Sequence, residues 1–210
     1  MKNDAKKGGN MFKNTTLVLL LCAVVAITGC ASYRAGRLPS SDVASFKTAQ
    51  DQENLMVAVK FFDVRESKQI FGVGKVYELY QPVYIAIDNR TKNSYEFSKR
   101  GSVNKQSVPA EEVAKNCGFS TVGRATTYGV AGLFIWPLLI PAVVDGVGSA
   151  QANQKMESDY MYKEIKDDRI SPNGLLNGVM FVDKMKEGEE FVIRLRNVDN
   201  NQIKLYSFKK

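Results

Sequence analysis

Alternating apolar and polar residues lie on both sides of one uncharged stretch, and this division most constrains how the chain folds. Leu55–Asp63 and Pro82–Asn89 alternate before the stretch, and Phe191–Arg196 and Ile203–Phe208 alternate after it. A period of two is typical of strands that turn one face to a core. The two blocks therefore predict one mainly β domain over residues 55–210, an antiparallel β-sandwich.

Other segments extend this prediction. Three further strands are expected: Val76–Tyr80, Tyr95–Ser98 and Leu175–Asp183. Of these, Tyr95–Ser98 is expected to return along Pro82–Asn89 after a turn at residues 89–93. Residues 109–117 change to helical spacing, with Pro109 at a first helical position and Gly118 after the last turn. Val113 and Cys117 are four residues apart and share a face, so Cys117 is expected to be buried.

The uncharged stretch consists of the 20 residues between Arg124 and Asp145. Its length would permit a membrane span. However, Pro137 and Pro141 would each remove a hydrogen bond from a straight helix. A span would also separate strands that need each other as partners. We therefore predict that an apolar α-helical hairpin is inserted at about residues 109–165.

The hairpin has two arms, at about residues 118–135 and 142–165, joined by a tip at residues 136–141. Its apolar side chains predict a membrane or partner contact: Tyr128, Leu133, Phe134, Ile135, Trp136, Leu138, Leu139 and Ile140. Its small residues predict close helix packing: Gly123, Gly129, Gly132, Gly146 and Gly148. The tip either completes its own core, enters a bilayer, or contacts another copy or an envelope protein. Met156 and Tyr160 are expected to pack on the domain.

A basic leader precedes the uncharged run Thr15–Thr28, which leads into Ile27-Thr28-Gly29-Cys30. This arrangement resembles a bacterial lipoprotein signal peptide. The resemblance implies cleavage before Cys30, acylation of the Cys30 thiol, and attachment to an envelope membrane. Ala31 and Ser32 follow the cysteine where an aspartate would favour the inner membrane, so the outer membrane facing the periplasm is expected. An ordinary signal peptide cut after Ala31 and an uncleaved anchor helix are the alternatives.

The domain organisation that follows is a signal peptide at 1–29, a lipidated cysteine and polar tether at 30–54, and the β domain at 55–210. The net charge of the chain is +7, and loss of the leader removes four lysines and one aspartate, which leaves +4. A nucleic-acid partner is therefore not expected.

Composition also limits the chemistry. The chain contains no histidine, which excludes histidine-dependent catalysis and histidine-ligated zinc. Of its three cysteines, Cys22 leaves with the leader and Cys30 is acylated, so Cys117 has no partner for an intramolecular disulfide. We therefore expect neither enzymatic activity nor a metal or cofactor.

Two strand motifs, Pro82–Asn89 and Gly178-x-x-Phe181, resemble immunoglobulin-like modules of secreted bacterial lipoproteins. The resemblance implies an immunoglobulin-like sandwich. The expected function is a membrane-anchored, non-enzymatic binding or structural module of the envelope. The alternative is an oligomer or pore assembled through the Gly/Ala-rich hairpin, and a hydrolase or transferase without histidine is a third possibility.

Overall fold

The computed structural model describes residues 32–119 and 139–210. The chain divides into two compact units. The larger comprises residues 34–118 and 155–210, and the other comprises residues 1–33 and 119–154. The larger unit is mainly β, with two antiparallel sheets and a few short helices, which confirms the predicted fold class at this level.

Six of the nine described strands fall on predicted segments, and three short strands, at residues 50–52, 107–108 and 168–170, were not predicted. In chain order they are β1 (Gln50–Gln52), β2 (Leu55–Phe61), β3 (Tyr80–Asn89), β4 (Tyr95–Phe97), β5 (Ser107–Val108), β6 (Asp168–Ile170), β7 (Gly174–Asp183), β8 (Glu190–Asn197) and β9 (Ile203–Lys209). One sheet has the order β1-β2-β3-β7-β5 and the other has the order β6-β4-β8-β9. Strands from before and after the uncharged stretch therefore pair in both sheets.

The described helices are α1 (Val64–Phe71), α2 (Lys75–Leu79), α3 (Ala110–Cys117) and α4 (Leu139–Lys163). The helix predicted at 109–117 is thus confirmed, with Pro109 as its N-cap. The strand predicted at Val76–Tyr80 is wrong, because α2 lies there. Gly72 ends α1 in a left-handed conformation (φ 74°). In α2 the Tyr77 amide then donates to the Gly74 carbonyl and the Tyr80 amide donates to the Val76 carbonyl.

One core cluster draws on both sheets. It includes side chains of β2 and β3 from the first sheet and of β8 and β9 from the second: Leu55, Val57, Val59, Val83, Ile85, Ile87, Phe191, Ile193, Leu195, Tyr206 and Phe208. Seven consecutive residues of β3 are buried, whereas β8 and β9 alternate between buried and more exposed positions. β3 is therefore covered on both faces, and the second sheet turns one face outward.

The strand at Tyr95–Phe97 does not return beside β3 as predicted. It pairs instead with β6 and β8 in the other sheet. Buried Asn89 sits at the change of sheet, and its amide donates to the carbonyls of Asn93, Ile170 and Ser171 at 2.8 to 3.0 Å. These bonds satisfy carbonyls at the end of β6 and in the segment between β3 and β4, so they hold the chain where it leaves the first sheet for the second.

The C-terminal part of α4 closes over α1. Tyr160 and Met156 are fully buried, which confirms the predicted packing. The Tyr160 hydroxyl donates to the Phe71 carbonyl (3.2 Å), and the buried Lys163 ammonium donates to the Ile70 carbonyl (2.7 Å). These carbonyls lie at the C-terminal end of α1, where a cation opposes the negative end of the helix dipole.

The chain passes directly against β7 after α4. The Ile165 amide donates to the Val179 carbonyl at 2.9 Å. A Cβ atom on Gly178 would lie 2.6 Å from the Ile165 backbone. Glycine at this position therefore lets the two backbones approach, which gives the Gly178 motif a packing role.

Part of the segment assigned above to the tether also belongs to the larger unit. Val43 is buried, and the Gly36 amide donates to the Gln69 carbonyl at 2.8 Å. Side chains of β1 reach the second sheet, since Gln50 and Gln52 donate to carbonyls of β9 at 2.7 Å. Residues before Leu55 thus tie the edges of the two sheets together.

We predict that Lys163→Met lowers the free energy of unfolding by about 2–3 kcal/mol, because the Ile70 carbonyl loses its donor and α1 loses its cation. Urea unfolding followed by circular dichroism measures the change. Lys155→Met, at an exposed site of the same helix, is the matched control and should cost less than about 0.5 kcal/mol. Equal losses in both variants would contradict the role given to Lys163.

Candidate functional site

A groove of about 750 Å³ runs along the end of β2 in the larger unit. We call it the β2 groove. Its walls come from the segment before β1, the end of β2, α2, the turn between β7 and β8, and the residue after β9: Pro39, Ser40, Ser45, Phe46, Lys47, Thr48, Val59, Lys60, Phe61, Phe62, Asp63, Tyr77, Glu187 and Lys210. This volume lies in the range of ligand-binding clefts.

The floor of the groove is an open edge of β2. β1 pairs with β2 only from Leu55 to Val57. Beyond Val57, no strand of the described chain pairs with β2 on this side. The Thr48 hydroxyl donates to the Val59 carbonyl at 2.5 Å, which places that carbonyl on the groove side. Alternate residues of a strand point their amides and carbonyls the same way, so those of Phe61 also face the groove.

A hydrogen bond to Pro82, on the β3 side of β2, agrees with this orientation of the Phe61 backbone. The Phe62 amide donates to the Pro82 carbonyl at 3.1 Å, so the backbone of Phe62 faces β3. Pro82 has no N–H to return the bond. The buried Gln81 side chain replaces it, since its amide nitrogen donates to the Phe62 carbonyl at 2.9 Å. The backbone of Phe61 is consequently turned away from β3.

Aromatic side chains form the apolar walls. Phe46 stacks on the buried Tyr84 ring with centroids 5.6 Å apart, and Phe61 packs edge-on against Phe191 at 5.9 Å. The Tyr84 hydroxyl also donates to the Ser40 carbonyl at 3.3 Å, and burial raises its pKa. Phe46 and Phe61 are each partly exposed, so they offer ring surface to a ligand.

Most of the acidic groups near the floor already have partners. The Asp63 carboxylate accepts the Glu66 amide at 2.7 Å in the capping box that begins α1. The Glu66 carboxylate pairs with the Lys60 ammonium at 2.5 Å. The Asp63 carboxylate is therefore engaged by α1 and the Glu66 carboxylate by Lys60. Glu187 is the remaining carboxylate of the lining.

Lysines surround the Tyr77 ring at one end of the groove. The Lys184 ammonium lies 3.4 Å from the ring centroid and that of Lys210 lies 5.9 Å from it. The Lys210 ammonium also donates to the Met185 carbonyl at 2.7 Å. Burial lowers the pKa of Lys184, and the nearby charge of Lys210 lowers it further. Two cations held this close create a site that attracts an anion.

Cys117 is the one cysteine among the described residues. Cys117 is buried, as predicted, and burial raises the pKa of its thiol to about 11. A thiol protonated at neutral pH is a poor nucleophile. Among the described residues, no three acidic or cysteine side chains converge as a metal site would require.

The residues predicted from the sequence for lipidation, membrane or partner contact and helix packing are described only in part. Most of them fall outside the described residues: Cys30, Gly123, Tyr128, Gly129, Gly132, Leu133, Phe134, Ile135, Trp136 and Leu138. Four lie in α4: Leu139, Ile140, Gly146 and Gly148. Within the described residues, no helix is both long and apolar enough to cross a membrane. Sequence reasoning missed the groove because Phe46 and Lys47 were assigned to the tether.

Comparisons with known protein families, with curated proteins and with solved structures found no match. The functional assignment therefore rests on the residues and on the geometry of the β2 groove.

We predict that Gln81→Leu destabilises the protein by about 1–3 kcal/mol, because the buried Phe62 and Pro82 carbonyls both lose a donor. Thermal and urea unfolding measure the loss. Gln52→Leu, which removes an exposed amide bonded to the Leu205 carbonyl, serves as the control and should cost less than about 1 kcal/mol. A Gln81 loss no larger than the Gln52 loss would show that the side chain does not substitute for the missing amide of Pro82.

Proposed function

We propose that the protein is a membrane-anchored lipoprotein of a bacterial envelope that acts as a non-enzymatic binding module. The observation that carries the anchoring is Ile27-Thr28-Gly29-Cys30 at the end of an uncharged run. In this proposal the signal peptide is cut before Cys30 and acyl chains on its thiol hold the protein on the outer membrane, facing the periplasm.

The binding role is supported by the β2 groove. Its partly exposed rings, its open strand edge and the lysines beside Tyr77 are features that bind ligands without chemistry. The high pKa of the Cys117 thiol and the engagement of Asp63 in the α1 cap also support a non-enzymatic role. The ligand is held by contacts and charge, and no bond is broken.

We also propose that the two sheets are the layers of an antiparallel β-sandwich. The core cluster that draws on both sheets supports this arrangement. So do the Tyr206 hydroxyl, which donates to the Leu55 carbonyl of the other sheet at 2.7 Å, and the glutamines of β1. The Pro82–Asn89 and Gly178-x-x-Phe181 motifs support a relation to immunoglobulin-like modules.

The apolar hairpin is proposed as a second contact with the membrane. α4 coincides with most of the predicted second arm. The Asn153 side chain on this helix exchanges hydrogen bonds with the backbone of Phe119 at 2.8 and 3.0 Å. Phe119 stands where the first arm is expected to begin, so the two chain segments meet as the arms of a hairpin would.

We predict that the wild-type chain, expressed in a bacterium, incorporates an alkyne-tagged palmitate and that Cys30→Ser does not. The acyl chains attach to the Cys30 thiol, which serine lacks. In-gel fluorescence after cycloaddition of a dye measures the label. Cys22→Ser is the matched control and keeps the label, because Cys22 lies within the leader. Equal labelling of Cys30→Ser would remove the proposed anchor.

We also predict that residues 31–210, exported behind a fully cleavable signal peptide, remain in the membrane pellet after an alkaline carbonate wash. The uncharged tip would hold them there without acyl chains. Immunoblotting of the pellet and supernatant measures the distribution. A double variant, Trp136→Ser with Leu139→Ser, should move to the supernatant. Release of both proteins into the supernatant would contradict the membrane contact.

A further inference from the structure

The open edge of β2 has backbone groups placed for strand addition. The backbone amide and carbonyl of the partly exposed Phe61 point to the groove side of β2, whereas the backbone of Lys60 and Phe62 points to β3. The backbone of Val59 points to the groove side as well, but this residue is fully buried. The pairing of β1 with β2 ends at Val57. Before β1, the Thr48 hydroxyl donates a hydrogen bond to the Val59 carbonyl. Such an edge is a template for another extended chain.

We infer that the β2 groove binds an extended, acidic segment of a partner polypeptide, which adds to β2 as a strand beside Phe61, past the end of the pairing with β1. This inference rests on the proposed function as a binding module and names the class of its partner. A polypeptide fits because its amides and carbonyls alternate at the spacing of those on β2, and its side chains then reach pockets on either side. A small ligand offers no such series of donors and acceptors.

The lysines in and beside the β2 groove favour a segment with acidic side chains. Lys60 is paired with Glu66, but Lys47, Lys184 and Lys210 make no ion pair with a carboxylate among the described residues. Asp63 is committed to the cap of α1, so Glu187 is the remaining carboxylate of the lining, beside the lining lysines Lys47 and Lys210. Outside the lining, the charge of Glu78 acts on Lys184. The groove therefore complements acidic side chains, which also steer the segment toward it.

The partly exposed rings supply the apolar contacts. Phe46 and Phe61 line the groove beside the strand edge, and Tyr77 lines it beneath Lys184. In a strand, alternate side chains point to opposite sides. Phe61 packs on Phe191 of the second sheet, whereas Phe46 packs on Tyr84, whose side chain lies on the opposite face of the first sheet. A bound segment therefore meets an aromatic ring on either face of β2, and its acidic side chains pair with the lysines.

A fluorescein-labelled peptide of sequence Glu-Val-Glu-Val-Glu-Val tests the inference. Fluorescence anisotropy measures its binding to the full chain in detergent micelles. We expect saturable binding at concentrations below 1 mM. A peptide with N-methylated valines should bind at least tenfold more weakly, because methylation removes amide donors along one edge. Replacing glutamate with lysine should have a similar effect. Absence of binding, or equal binding of the methylated peptide, would overturn strand addition.

A pair of variants tests the place of binding. Phe61→Pro removes the amide that faces the groove and leaves the bonds of β2 to β3, whereas Phe61→Val keeps the amide and loses only the ring. We expect Phe61→Pro to weaken peptide binding at least tenfold and Phe61→Val to weaken it less than threefold. Circular dichroism verifies that each variant is folded. If Phe61→Pro proves unfolded, amide hydrogen exchange of the wild-type chain decides, since bound peptide should protect Phe61.

Two other results would overturn the inference. Wild-type chains that associate without peptide, and are separated by Phe61→Pro, would show that a second copy occupies the edge. Binding unaffected by Phe61→Pro would place the peptide elsewhere. The acylation test is independent: palmitate on Cys30 without peptide binding overturns this inference alone, and peptide binding without palmitate overturns the proposed anchoring alone.

Discussion

The pairing of β3 along both of its edges is the constraint on which the rest of this structure depends. β3 pairs with β2 from Val83 to Asn89 and with β7 along its whole length. Because β2 precedes the uncharged stretch and β7 follows it, these ladders join the two halves of the domain. Every other element of the larger unit is attached to this buried strand: the second sheet through the shared core, and α1 through the end of β2.

A single proline on β3 connects this central pairing to the candidate site. Without an amide at Pro82, the ladder between β2 and β3 would leave the Phe62 carbonyl unsatisfied, and Gln81 supplies the donor. The alternation of the strand then turns the Phe61 backbone outward, where β1 no longer covers it. The groove thus follows from the backbone as much as from the rings of Phe46 and Tyr77.

Elements with one buried face were predictable from the sequence. β8 and β9 alternate as expected, and β2 and β3 were located although both of their faces are largely buried. α1 was missed, even though Asp63 and Glu66 form its capping box, because its eight residues are fewer than the window over which helical periodicity is recognised and only Val64, Ile70 and Phe71 are apolar. The groove was not predictable, because Phe46, Phe61, Tyr77 and Lys210 converge only through the strand register, which local sequence does not specify.

The burial of Cys117 has a consequence for the redox behaviour of the folded chain. With a pKa of about 11, on the order of one thiol in 10,000 is ionised at pH 7, and only the thiolate attacks a disulfide. Exchange with another protein is slowed by that scarcity and by the covering side chains. In an oxidising compartment the domain would therefore remain a single reduced species, and only unfolding would expose the sulfur to crosslinking.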